Sequence, residues 1–130
     1  RSAIYLEDSE VVIEGLRIWG SPWQPEFFSW AFNLPRGPAL RAKWQRIPTG
    51  IDILLTHGPA LGILDRVPRG DEVGCEELRA ELPRIRPRLH VFGHIHDAYG
   101  QRELDGTRYV NAAICNEAYL PENPAIVVDL

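Results

Sequence analysis

The chain has 130 residues, 45% hydrophobic and 25% charged, a balance that suits one compact domain and excludes wholesale disorder. Its formal net charge of -4 argues against general affinity for nucleic acid or an anionic membrane, and no apolar run approaches the roughly 20 residues of a membrane span. Cys75 and Cys115 lie far apart with no C-x-x-C spacing, which leaves a disulfide framework or zinc knuckle unsupported and makes a reducing, cytoplasmic setting the expectation.

The sequence opens on Arg1, shows no signal-peptide pattern and contains no methionine, so it is expected to start inside a longer translation product or after processing. Residues 3–6 and 11–13 are short β-type runs separated by Glu7-Asp8-Ser9-Glu10. Gly15 then turns the chain into residues 16–20, which alternate apolar and polar as a half-buried strand does. Residues 21–38 change to proline, glycine and aromatics, the composition of an ordered loop. Trp23, Phe27, Phe28, Trp30 and Phe32 must pack somewhere, either pinning that loop to the core or walling a substrate pocket. Residues 39–46 fit a short helix, stopped by Pro48 and Gly50.

Residues 51–56 are almost continuously apolar and run straight into His57-Gly58-Pro59, as a buried central strand does when it delivers a polar residue at its C-terminal end. Residues 74–82 fit a helix with Glu76, Glu77 and Glu81, closed by Pro83. The basic residues Arg79, Arg84, Arg86 and Arg88 fit a solvated helix end or a phosphate-facing cluster. A second apolar strand, residues 88–93, meets His94-Ile95-His96-Asp97. Short strands follow at 99–104, 107–112 and 125–129, with Asp105-Gly106 as the hairpin turn between the first two. Strand, helix, strand and meander together predict an α/β fold with a mixed sheet.

Two apolar strands thus end in small-residue turns with histidine at the tip. Functional groups in open α/β sheets gather at the carboxyl ends of strands, and neutral imidazole is a good ligand for zinc, iron and manganese. If extended alternation held through the second turn, His94 and His96 would point the same way. Gly58 and Gly93 would allow close backbone approach or a positive φ. His90, inside its strand with no turn beside it, reads as a satisfied core residue outside that cluster. Asp97 reads either as a partner orienting a histidine or as a salt-bridged surface carboxylate.

Gly93-His94-Ile95-His96 matches the G-H-x-H motif of calcineurin-like metallophosphoesterases, and Thr56-His57-Gly58-Pro59 resembles that family's upstream single-histidine motif. Gly20-Ser21-Pro22-Trp23, Phe32-Asn33-Leu34-Pro35-Arg36-Gly37, Ile51-Asp52-Ile53-Leu54 and Leu89-His90-Val91-Phe92-Gly93 resemble, in order, the metallophosphoesterase-domain-containing (MPPED) branch. Some relatives in that branch carry glycine at the first histidine of G-H-x-H, whereas this chain keeps His94.

The resemblance implies the C-terminal half of a four-layer α-β-β-α sandwich, with residues 1–130 forming part of a single metallophosphoesterase domain. It implies a dinuclear site for two divalent ions (manganese, iron or zinc), His57 and His94 holding one and His96 the other. The implied activity is phosphoric ester hydrolysis, leaning to phosphodiesters with cyclic nucleotides among the candidates. The family's other ligands come from D-x-H, G-D and G-N-H-[DE] motifs in its N-terminal half; no D-x-H or G-N-H occurs here. No catalytic acid or base is assignable, and three imidazoles bring no negative charge to offset two dications.

The chain alone is therefore expected to be inactive and to need a preceding half or self-association. A module that works by pairing with a partner is the alternative from another functional class. A mononuclear zinc site fits poorly, since no further histidine follows Asp97 to complete an H-x-H-x-D-H pattern.

Overall fold

A computed structural model describes residues 2–130; Arg1, on which the expectation about where translation starts rests, lies outside the described residues. Two hairpins bracket the sheet. The first joins β1 (Ser9–Ile13) and β2 (Leu16–Ser21) through Glu14-Gly15, the second joins β7 (Gly100–Leu104) and β8 (Thr107–Asn111) through Asp105-Gly106. Both turn residues have positive φ in each case, 50° and 82° in both turns. That geometry matches strand twist and favours Asp-Gly type sequences.

Between the hairpins lie β5 (Ile53–Thr56) and β6 (Leu89–Phe92), giving the strand order β1-β2-β5-β6-β8-β7. The β2/β5, β5/β6 and β6/β8 pairs are parallel and the two hairpins antiparallel, so the sheet is mixed as expected. Two differences from the sequence reading concern the ends. Residues 3–6 and 125–129 form no strand; a β-type run that pairs with no neighbour gains no ladder bonds. The loop at 21–38 contains the two-residue strands β3 (Gln24–Pro25) and β4 (Asn33–Leu34), folded around the Asn33 amide, which bonds Phe27 and Phe28 backbone.

Helix α1 (Pro38–Gln45) starts with proline in its first turn, where the missing N–H costs nothing, after Gly37 at φ 95°. Helix α2 (Glu76–Ile85) runs past Pro83 instead of stopping there. Proline deletes one late bond, and the helix ends where Arg86 turns left-handed and its N–H donates to Leu82 O at 2.8 Å. Glu76 and Glu77 sit at the positive end of the α2 dipole. Leu78, Leu82 and Ile85 form its buried stripe.

Both helices pack on one face of the sheet, where Leu40, Trp44, Leu78 and Leu82 join Trp19, Leu54 and Tyr109 in a single core. Register and alternation place Trp19, Leu54, His90 and Tyr109 in one row on this face. Gly20, Leu55, Val91 and Val110 form the corresponding row on the other. Leu6 lies over Gly20 so tightly that a Cβ there would come within 2.5 Å of its own. No helix covers that face: Leu55 is 36% exposed, and Ile18, Ile53 and Val91 are only half-buried. One α layer and one β layer are thus present, the arrangement expected of half a sandwich.

β5 and β6 are thus buried on the helix side and only partly covered on the other, where Leu55 is exposed, Val91 half-buried and Leu89 buried. They are also central and paired on both sides, so the open edges belong to β1 and β7. On β1, Val12 and Ile13 are 61% and 47% exposed. Apolar edges and uncovered apolar faces invite pairing. In sedimentation velocity the chain by itself should run as dimers or larger species. A single monomeric boundary with cooperative thermal unfolding would contradict this.

Candidate functional site

The parallel partners β5 and β6 end side by side, and their pairing continues one step into the turns, where Gly93 N–H donates to His57 O at 3.0 Å. That bond brings the two histidine tips together. The His57 and His94 rings lie 4.9 Å apart between centroids, inclined at 48°. His94 carries φ 69°, a left-handed conformation that a residue with a side chain adopts at a cost and that clusters at functional sites. The positive φ thus falls on His94, not on Gly58 or Gly93 as the sequence allowed. Gly58 faces the His94 ring, and a Cβ there would stand 3.7 Å from His94 Cδ2, an ordinary contact.

The left-handed residue also breaks the extended alternation, and a short 3₁₀ turn (His96–Ala98) follows at once. His96 consequently takes its own direction. Its ring packs on Tyr119 at 5.2 Å, and its Nδ1 meets Asn116 O at 3.1 Å. A carbonyl can only accept, so Nδ1 carries the proton and Nε2 keeps its lone pair. The orienting group is therefore the Asn116 carbonyl and not Asp97, which is exposed. The basic cluster serves the scaffold: Arg84 bonds Glu81 and the carbonyls of Trp44 and Ile47, and Arg79 bonds Leu61 O.

Aromatics from residues 21–38 close around the pair. Phe27 meets the His94 ring edge-on at 5.1 Å, Trp30 lies 6.4 Å away, and Phe32 lies 6.4 Å from His57. The loop thus walls the histidines as well as ordering itself. Beside His94 opens a cavity of about 440 Å³, largely apolar, bounded by Phe27, Pro59, Val67 and Val73. Asn111, fully buried, holds the G-H-x-H loop from below: its Nδ2 donates to Ile95 O at 2.8 Å and Leu64 O at 3.2 Å, and its Oδ1 accepts from Ala113 N–H. No sequence pattern signals that role, because one asparagine at a strand end has no spacing to betray it.

Burial pushes the His57 pKa down from 6.5. Burial, with the neighbouring imidazoles His57 and His96 adding to it, takes His94 down to about 4. At neutral pH the pair is therefore uncharged, the state in which imidazole binds a divalent transition ion. In donor chemistry the residues fit a metal; in number they do not. Among the described residues, no three His, Cys, Asp or Glu side chains gather closely enough to hold one. The 130 residues fit part of a metal centre only.

Comparison with known proteins fits this geometry. The chain is 58% identical over 131 aligned residues to metallophosphoesterase domain-containing protein 1 of Homo sapiens and of Mus musculus, covering 99% of this chain and 40% of each relative. Its sequence matches the metallophosphoesterase-domain-containing branch of the calcineurin-like superfamily. A UPF0046 protein of Caenorhabditis elegans is 45% identical over 130 residues, 33% of its length. The chain thus spans about 40% or less of these curated relatives. No family model matches. One solved crystal structure shares the fold, with a TM-score of 0.59 at 18% identity over 83% of this chain and 45% of its own.

Two measurements check the site as a built structure. Asn111→Ala strands the Ile95 and Leu64 carbonyls, and urea unfolding should show a loss of about 1–3 kcal/mol. An unchanged stability would contradict the pinning role. Acid titration supplies the second. The folded pKa of His94 lies below the unfolded value of 6.5, so the unfolded chain takes up protons first as pH falls. Stability should hold above about 6.5 and decline toward about 4. His94→Gln should flatten part of that decline, and an unaltered slope would contradict the burial of this ring.

Proposed function

We propose that this chain supplies the histidine ligands His57, His94 and His96 to a dinuclear, metal-dependent phosphoric ester hydrolase acting on phosphodiesters. The observation that carries the reading is the neutral His57–His94 pair at the ends of adjacent parallel strands, in a sequence 58% identical to metallophosphoesterase domain-containing protein 1. His57, His94 and the free Nε2 of His96 would hold divalent ions of the manganese, iron or zinc type. Such ions polarise a phosphoryl oxygen and lower the pKa of bound water.

The chain's own residues contribute ligand lone pairs, an aromatic wall beside the half-buried pair, and an apolar cavity of about 440 Å³. That volume has room for the alcohol part of a phosphodiester, a nucleoside included. Carboxylate bridges between two ions would have to come from outside these 130 residues, as in the reading of residues 1–130 as one portion of a metallophosphoesterase domain. No helix among the described residues is long and apolar enough to cross a membrane, and the free thiols Cys75 and Cys115 support a reducing, cytoplasmic setting.

A second reading, a non-catalytic module that pairs with a partner, is favoured by the exposed Leu55 and by the apolar β1 edge. Hydrolysis of a chromogenic phosphodiester with added manganese separates the two. The chain alone should turn over slowly or not at all while still binding zinc weakly in calorimetry. His57→Ala and His94→Ala should each abolish that binding. Zinc binding that survives both substitutions would overturn the ligand assignment, and rapid turnover by the chain alone would overturn the need for further ligands.

A further inference from the structure

His90 sits in β6, the strand that ends in His94, yet its side chain points into the helix-covered core with 0% exposure. Its ring packs against Phe92 at 4.9 Å and Tyr109 at 5.7 Å. Nε2 lies 2.8 Å from Thr56 Oγ1, and the same hydroxyl lies 2.8 Å from Gly58 O. Thr56 is the last residue of β5, and Gly58 follows His57 in the turn.

The proton positions follow from counting. A threonine hydroxyl has one proton, and a carbonyl oxygen only accepts. If that proton went to His90, a hydroxyl lone pair would face the Gly58 carbonyl lone pair at 2.8 Å, which is repulsive. The hydroxyl therefore donates to Gly58 and accepts from His90, whose Nε2 must carry the ring proton. Nδ1 is then a bare acceptor, and it has no hydrogen-bond partner among the described residues. Burial, which takes the His90 pKa down to about 3, keeps the ring neutral throughout. Leaving a buried acceptor unpaired costs on the order of 1–3 kcal/mol. An apolar residue at this position would carry no such cost and could not make the contact to Thr56.

We infer that His90 is a positioning residue: through Thr56 it locks the His57-Gly58-Pro59 turn and thereby sets the His57 ring against His94. The strand that carries one histidine of the pair thus also fixes the turn that carries the other. The relay ends on Gly58, the residue that faces His94 Cδ2 across the space where a Cβ would be. Any shift of that carbonyl moves His57 relative to His94. The functional meaning rests on the reading of the His57–His94 pair as a ligand pair, whereas the relay itself does not.

Histidine-labelled protein tests both parts by two-bond ¹H–¹⁵N correlation and ring-to-ring nuclear Overhauser effects near neutral pH. In the unaltered protein His90 should be the Nε2–H tautomer; an Nδ1–H signal would overturn the relay without need of any variant. Thr56→Val keeps side-chain volume but removes the hydroxyl. It should weaken the His57–His94 ring contact several-fold and lower zinc affinity about tenfold or more. Thr56→Ser restores the hydroxyl and should rescue both. An unchanged ring contact in Thr56→Val, or no rescue by Thr56→Ser, would overturn the positioning role. If the unaltered protein binds no zinc, the ligand reading fails, and the tautomer and ring contact still decide the inference.

Discussion

The hydrogen bond from Gly93 N–H to His57 O holds the site together, because it extends the β5/β6 pairing past the last strand residue and into both turns. Parallel strands place their carboxyl ends on one side of a sheet, but that alone leaves turn residues free to diverge. One further ladder step removes the freedom. With the turns joined, His57 and His94 meet, the aromatic loop can close over them, and His94 is held in its left-handed conformation. Asn111 from β8 and the Thr56 hydroxyl from β5 support the two turns from the core side.

The pair is a low-charge environment by construction. Burial depresses both imidazoles, and at His94 the neighbouring His57 and His96 add to it, so the lone pairs stay available at neutral pH. No carboxylate joins them to make a group of three metal-binding side chains among the described residues. Two neutral donors can share one ion but cannot balance two dications. The chemistry that this branch name implies therefore depends on negative groups that this stretch does not bring to the pair. On the opposite face of the sheet Leu55 is exposed and Val91 half-buried.

Much of this was legible in the sequence, for physical reasons that can be named. The strands β5 and β6 are continuous apolar runs bounded by turn residues, and Asp105-Gly106 can make only a narrow set of turns. What escaped was set by contacts distant in sequence. Pro83 was a poor stop signal because Arg86, not the proline, supplies the left-handed cap. The direction of His96 could not be read from spacing, since the φ of 69° at His94 cancels the alternation that spacing assumes. Asn111, the Asn116 carbonyl and Thr56 act through hydrogen bonds that reach across 16, 20 and 34 positions. Isolated polar residues leave no periodic trace, and only coordinates connect them.

The most direct test of the central claim, that two strand ends present His57 and His94 as one pair of metal-binding imidazoles, is paramagnetic line broadening by substoichiometric manganese. The ring protons of His57 and His94 should broaden together, ahead of every other side chain, because one ion samples both. Broadening of one ring without the other, or of surface carboxylates such as Glu117 and Asp97 while both rings stay sharp, would contradict it.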